Sequence, residues 1–246
     1  MEELSLHGKR ILVTGGTTGI GRATLALLAE KGAHLLTFGR NETDLSISLD
    51  NARKTSSAQV NGLVADVAER TGVAQVFAAV DKDLGGLDIL VNNAGESVEG
   101  VQDETDDDWR YAVETNFVGY LACAREAIAR MRANGGGHIL FVGSISADRK
   151  SKGTSVYAAT KAGIAAYAET LRKELAQDNI RVSWVEPGAT GADMQQADPQ
   201  TQRQKIAAEE MLKAEDIADA IAFILTRPSR TNILNLRIEP RLQSYE

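Results

Sequence analysis

Short apolar runs alternate along this chain with longer stretches whose apolar residues recur at helical spacing. The short runs predict strands over 10–14, 34–38, 60–65, 88–91, 137–142, 180–185 and 232–238; the first, Arg10 to Thr14, ends at glycines, as a buried strand does. The periodic stretches predict helices over 20–31, 42–56, 69–84, 105–133, 155–177 and 215–226. In the first of these Leu25, Leu27 and Leu28 are core candidates and Gly32 is the stop. Strict alternation of the two kinds of element predicts an α/β fold, a doubly wound parallel sheet of about seven strands with helices on both faces. No linker, repeat or low-complexity tract interrupts the pattern, so a single domain is expected over 1–246. The least patterned region, 188–213, is polar, follows a strand end and is expected to form a substrate loop.

Composition narrows the function classes. The chain has 246 residues, of which 43% are hydrophobic and 25% charged, a balance that argues against wholesale disorder. Against 27 Lys and Arg stand 34 Asp and Glu, giving a net charge of −7, which lacks the electrostatic footprint of a nucleic-acid binder. One cysteine, Cys123, excludes an internal disulfide framework or a multi-cysteine zinc site and suits a reducing compartment. Glutamates stand where a secretory leader would be basic, and no apolar run reaches the ~18 residues of a membrane span. A cytoplasmic protein without membrane or nucleic-acid partners is the expectation.

Two local patterns carry chemistry. After the first strand come Gly15, Gly16, Thr17, Thr18, Gly19, Ile20 and Gly21. Glycines at 15, 19 and 21 permit a tight turn, close approach of backbone to a pyrophosphate and close packing of the following helix, whose N-terminus favours phosphate. The spacing is neither that of a P-loop nor G-x-G-x-x-G. Farther on, Tyr157 and Lys161 stand at i and i+4 in a helical stretch and share a face. A free phenol titrates near pH 10, and a neighbouring ammonium lowers that value, which would suit Tyr157 to general acid–base work. Ser144 lies just past the fifth strand, where ligands gather beyond a parallel sheet's carboxyl ends.

Thr-Gly-x-x-x-Gly-x-Gly, together with Asp66, Asn92-Asn93-Ala94-Gly95, Asn116, Ser144, Tyr157-x-x-x-Lys161 and Pro187-Gly188, resembles the short-chain dehydrogenase/reductase family in order and spacing. The resemblance implies a Rossmann-type fold, a nicotinamide dinucleotide and a small carbonyl or alcohol substrate. It implies catalytic roles for Asn116, Ser144, Tyr157 and Lys161, with Ser146 the spare hydroxyl: Ser144 binds the carbonyl oxygen, Tyr157 delivers the proton, Lys161 lowers its pKa and holds the nicotinamide ribose, and Asn116 perturbs its helix and holds a water. Asp66 and Val67 would contact adenine. Asn93, Ala94 and Gly95 would border the ribose, with Asn93 chiefly tying strands, and Asp66 also reads as an N-cap of the next helix. Pro187 and Gly188 would meet the carboxamide. Relatives commonly place a threonine at 192; here Ala192 departs from the pattern, and Thr190 is the substitute hydroxyl. The end of the chain departs too, without the Asp-Gly-Gly tail that many relatives carry in their oligomer contacts. Homodimers or homotetramers pairing through 105–133 and 155–177 are implied.

The second strand's end selects the dinucleotide. A carboxylate there bonds the 2′-hydroxyl of NAD and repels the 2′-phosphate of NADP. This chain has Gly39, followed by Arg40, whose guanidinium can fork onto a phosphate, and Asn41, a further donor. NADP(H) is the expected cofactor and NAD(H) the lesser one. The alternative is a non-catalytic NADP(H)-sensing regulator on the same fold, against which the Asn-Ser-Tyr-Lys set argues. His7, His34 and His138 have no metal-ligand spacing, and no metal is expected. Cys123 reads as a packing residue, 103–108 as a solvated helix start over Trp109, and Arg149, Lys150 and Lys152 as a solvated basic loop, with a wall for anionic substrates as the alternative.

Overall fold

The computed structural model of the protein describes residues 4–54, 58–191 and 198–244. Seven parallel strands form one sheet: β1 (Arg10–Thr14), β2 (His34–Gly39), β3 (Val60–Val64), β4 (Ile89–Asn92), β5 (Gly137–Val142), β6 (Ile180–Pro187) and β7 (Asn235–Ile238). Their order is β3-β2-β1-β4-β5-β6-β7. The chain winds outward from β1 one way and from β4 the other, so the crevice between these two strand ends is where such a sheet takes a ligand.

The helices are α1 (Gly19–Glu30), α2 (Glu42–Lys54), α3 (Arg70–Ala79), α4 (Asp106–Val113), α5 (Gly119–Ala133), α6 (Ser155–Glu174), α7 (Pro199–Ala207) and α8 (Ala214–Leu225). Both faces of the sheet are covered, which explains why its strands read as continuous apolar runs. Alternate residues of β1 point to opposite sides: Leu12 joins Leu90, Phe141, Tyr120 and Cys123, while Ile11 and Val13 join Leu35, Val91, Leu25 and Ile221. The Cys123 thiol is fully buried, which pushes its pKa up to about 12.

Several expected boundaries move. The single helix over 105–133 is broken by a π-helical turn at Glu114–Val118, which separates α4 from α5. Another such turn, Val80–Leu84, ends the third helical stretch, and a short 3₁₀ turn follows α6. The seventh strand begins at Asn235 rather than 232, because the preceding residues form a loop whose Leu234 carbonyl meets the Trp184 amide. Within 188–213 the chain forms α7, capped by Asp198, whose carboxylate accepts from the Gln200 and Thr201 amides. Ala192 lies outside the described residues.

Candidate active site

The glycine turn closes over the ends of β1 and β4 for steric reasons. Gly15 and Gly19 have φ of +65° and +49°. A β-carbon on Gly15 would lie 2.8 Å from the Ala94 Cα, and one on Gly21 would lie 2.1 Å from the Gly15 carbonyl oxygen. The loop is tied down by side chains that sequence reasoning missed. Thr14 Oγ accepts from the Asn93 and Ala94 amides at 2.8 and 2.9 Å, Thr37 Oγ accepts from the Gly16 amide at 3.0 Å, and Ser48 Oγ donates to the Gly16 carbonyl at 2.6 Å. Asn93 Nδ2 donates to the Thr14 and Gly15 carbonyls, joining strand end to turn. The only sequence signal of the three hydroxyls is their place at buried positions, Thr14 and Thr37 on strands and Ser48 on α2.

Beyond this turn opens a cleft of about 600 Å³. Gly15, Thr17, Thr18, Gly19, Ile20, Gly21, Arg40, Asn41, Asp66, Val67, Asn93, Ala94, Gly95, Tyr157 and Lys161 all line it. A second cavity of about 1130 Å³ adjoins it, bordered by Ser144, Ser146, Tyr157, Pro187, Gly188 and Thr190. Ile20, Gly143 and Tyr157 belong to both linings, so the phenol stands where the two spaces meet. Pro187, Gly188 and Thr190, expected with the cofactor residues, face the larger cavity; the Thr190 hydroxyl donates to the Gly188 carbonyl at 3.0 Å.

Tyr157 and Lys161 sit one turn apart on α6. Ser144 lies close enough to the Tyr157 hydroxyl to favour its ionised form. Ser144 also caps a 3₁₀ turn, accepting from the Ser146 amide at 3.1 Å, so the functional and capping readings coexist. Lys161 is buried; its Nζ donates to the Val142 carbonyl at 3.4 Å and stands 5.2 Å and 5.5 Å from the Tyr120 and Tyr157 ring centres. Burial pulls the ammonium down to about 8. The expected lysine-driven fall of the tyrosine pKa is corrected here: burial pushes the Tyr157 phenol up, opposed by the Ser144 hydrogen bond. Desolvating a phenolate outweighs the hydroxyl that would stabilise it.

Asn116 lies in the π-helical turn and is fully buried. Its amide clasps one backbone unit at both ends, accepting from the Glu96 amide at 2.7 Å and donating to the Glu96 carbonyl at 2.8 Å. The turn thus presents the side chain to the strand-end loop instead of to a helical neighbour, which resolves an asparagine's conflict with helix interior. Asp66 is not the cap of α3, which starts four residues later at Arg70; its Oδ1 accepts from the Ala68 amide at 2.9 Å and its Oδ2 from the Tyr111 hydroxyl at 2.7 Å. Asn41 Oδ1 accepts from the Asp44 amide at 3.1 Å, starting α2.

Arg40 is half-exposed yet engaged: Nη2 donates to Glu96 at 2.7 Å and Nη1 to the Tyr111 hydroxyl at 2.7 Å. Gly39 has a packing reason besides the absent carboxylate, since a β-carbon there would lie 2.5 Å from the Thr17 methyl. Arg149, Lys150 and Lys152, read as a solvated loop, are exposed but also wall the larger cavity, with Lys205 of α7 among the other lining groups. No group of three or more metal-ligating side chains occurs among the described residues.

The short chain dehydrogenase family model matches residues 9–203. An uncharacterized oxidoreductase of Staphylococcus aureus is 31% identical over 236 residues, covering 96% of this chain and 98% of its own length. Among solved structures, a short chain dehydrogenase from Burkholderia cenocepacia in complex with NADP is 32% identical with a TM-score of 0.85, covering 96% of this chain and 98% of that one. The L-sorbose reductase of Gluconobacter frateurii, complexed with NADPH and L-sorbose, is 27% identical with a TM-score of 0.88, covering 99% and 100%.

Proposed function

The chain belongs to the short-chain dehydrogenase family of oxidoreductases, and from that membership we propose that it is NADP(H)-dependent and interconverts a carbonyl and a secondary alcohol with Tyr157 as general acid and base. The observation that carries the reading is Tyr157, shared by two adjoining cavities, beside Ser144 in the larger one and backed by Lys161. The glycine turn fits a dinucleotide, because it lines the cleft and packs on its own backbone and on the end of β4 more closely than a β-carbon would allow. Thr17, Thr18 and the amides of 19–21 would hold the pyrophosphate, Asp66 and Val67 the adenine, and Arg40 with Asn41 the 2′-phosphate. When bound, the nicotinamide supplies or accepts the hydride.

Ser144 donates to the carbonyl oxygen and stabilises the charge that grows there. Tyr157, its phenol held protonated by burial, gives its proton to the same oxygen during reduction and takes it back during oxidation. Lys161 keeps a cation beside that ring; Asn116 fixes the strand-end loop, and its π-helical turn would hold the relay water that the family resemblance implies. Thr190 and the Pro187–Gly188 backbone would meet the carboxamide. The cavity wall of Ser97, Ser146, Ser151, Thr154 and Thr190 suits a hydroxylated substrate, in keeping with the sugar ligand of the sorbose reductase relative. Self-association through α4–α5 and α6 and a cytoplasmic site of action complete the proposal.

NADPH and NADH oxidation over a panel of polyhydroxylated and simple ketones tests it. Turnover with NADPH is expected; tight NADPH binding without turnover on any ketone would favour the sensor reading. Arg40→Ala tests the cofactor choice, and an unchanged ratio of NADPH to NADH affinity would remove Arg40 as discriminator.

A further inference from the structure

Four side chains from four distant segments meet across the dinucleotide cleft. Arg40 follows β2, Glu96 follows β4, Tyr111 lies on α4 and Asp66 follows β3, and all four line the same cleft. Arg40 Nη2 holds the Glu96 carboxylate at 2.7 Å; Nη1 donates to the Tyr111 hydroxyl at 2.7 Å, and that hydroxyl donates on to Asp66 at 2.7 Å. The guanidinium also lies 5.3 Å from the Tyr111 ring centre. Glu96 itself is fixed from behind, because Asn116 grips its backbone on both sides. Its carboxylate therefore projects from a held position.

We propose that Glu96 is a built-in competitor for Arg40 and thereby sets how strongly the cleft prefers a 2′-phosphorylated dinucleotide. This rests on the reading of Arg40 as the 2′-phosphate ligand. A guanidinium has two edges that fork onto an oxyanion, Nη1 with Nη2 and Nε with Nη2. Glu96 is bound at Nη2, the nitrogen common to both. A phosphate taking either edge must displace the carboxylate or sit against its negative charge. The pair is solvent-accessible, with the two side chains 55% and 33% exposed, so the competition is one that a phosphate can win. Tyr111 stands on the opposite side: with its hydroxyl committed to Asp66 it accepts from Arg40 without charge, and so keeps the guanidinium over the cleft while Glu96 is exchanged.

The test is a double-mutant cycle read by calorimetric binding of adenosine 2′,5′-bisphosphate, AMP, NADPH and NADH to the full chain. Glu96→Gln keeps the size of the side chain and the backbone held by Asn116 while removing the charge. It is expected to raise the ratio of bisphosphate to AMP affinity, and of NADPH to NADH affinity, by about fivefold, an increase that shrinks in high salt. Arg40→Ala lowers both ratios, and adding Glu96→Gln to Arg40→Ala changes nothing further. Should Arg40→Ala lower the ratios while Glu96→Gln leaves them unchanged or lowers them, the competitor role is overturned and the NADP(H) reading stands. An Arg40→Ala variant with unaltered ratios removes the 2′-phosphate reading itself, and the competitor role with it.

Discussion

The two cavities that meet at Tyr157 are built by opposite means. At its glycine turn the dinucleotide cleft is made of backbone: glycines at 15, 19 and 21 shape it, and buried hydroxyls from Thr14 and Thr37 on the strands and Ser48 on α2 fix it. The larger cavity is made of loop side chains, with Asp148 to Thr154 on one wall and Thr190, Lys205 and Gln243 on another. A turn built of backbone tolerates little change. A side-chain site can be re-lined for a new substrate while the first stays intact, so one family's chemistry can serve many carbonyl compounds.

The sharpest way to break this comparison is at Tyr157, which borders both regions. Tyr157→Phe keeps the ring that borders both cavities and removes the proton. We expect kcat/KM to fall about 10²–10⁴-fold with NADPH affinity near wild type, measured by steady-state kinetics and calorimetry. Retention of a tenth or more of the activity would mean that another group delivers the proton. Next in size is a pair of glycine substitutions. Gly21→Ala puts a methyl 2.1 Å from the Gly15 carbonyl oxygen and 2.6 Å from Asn93 Nδ2, so the turn's backbone must give way. It should destabilise the fold by about 1–3 kcal/mol and weaken NADPH binding at least tenfold. Gly153→Ala, in the Asp148–Thr154 wall of the larger cavity, meets nothing within 4 Å, although its φ of +84° costs about 1 kcal/mol. Of the two ligands, its effect should fall on the substrate, raising KM and leaving NADPH affinity unchanged.

How legible each region is follows the same division. The glycine turn could be read from sequence because the requirement for each residue is local: a positive φ or a missing β-carbon leaves its mark at one position. Tyr157 and Lys161 were legible because helical geometry converts a spacing of four into a shared face. The partners of Arg40 were not, since Glu96 and Tyr111 lie 56 and 71 residues away and nothing in their neighbourhoods marks a charge relay. The π-helical turn escaped as well: Glu114 to Val118 contains no glycine or proline, and what holds it open is the distant Glu96 backbone that rewards Asn116. For the basic residues of 149–152, composition gave solvent exposure, but which exposed side chains face a cavity depends on how the loop folds back.

A third test uses pH. Burial brings the Lys161 ammonium down to about 8, so the cation beneath the phenol is lost as pH rises through that value. Reduction rates should drop about tenfold per unit above it if the charge is required, while the phenol, shifted up, stays protonated. Stability has the opposite sign: between about 8 and 10.5 the unfolded chain binds more protons than the folded one, so resistance to denaturant rises with pH across that window. Lys161→Arg keeps its charge throughout and should abolish the kinetic limb. A wild-type profile flat to pH 10 would assign the cation no part in the reaction.

The smallest expected effect probes the substrate side alone. Glu186, buried at the end of β6, accepts from Arg237 Nε at 2.9 Å and from Asn235 Nδ2 at 3.0 Å, and the same guanidinium reaches out to Asp148 on the cavity wall. One arginine of β7 thus moors an irregular loop to the sheet, replacing with side-chain reach the backbone packing that the cofactor turn enjoys. Because Asp148 is exposed and its partner stays bound to Glu186, Asp148→Asn should cost at most about 1 kcal/mol, a shift of about 2–4 °C in Tm. The loosened loop should raise the KM for the carbonyl substrate a few-fold and leave NADPH affinity where it was. If calorimetry instead finds NADPH binding weakened as much as KM is raised, the loop and the glycine turn respond as one body. The separation of a fixed cofactor cleft from an adjustable substrate wall would then be wrong.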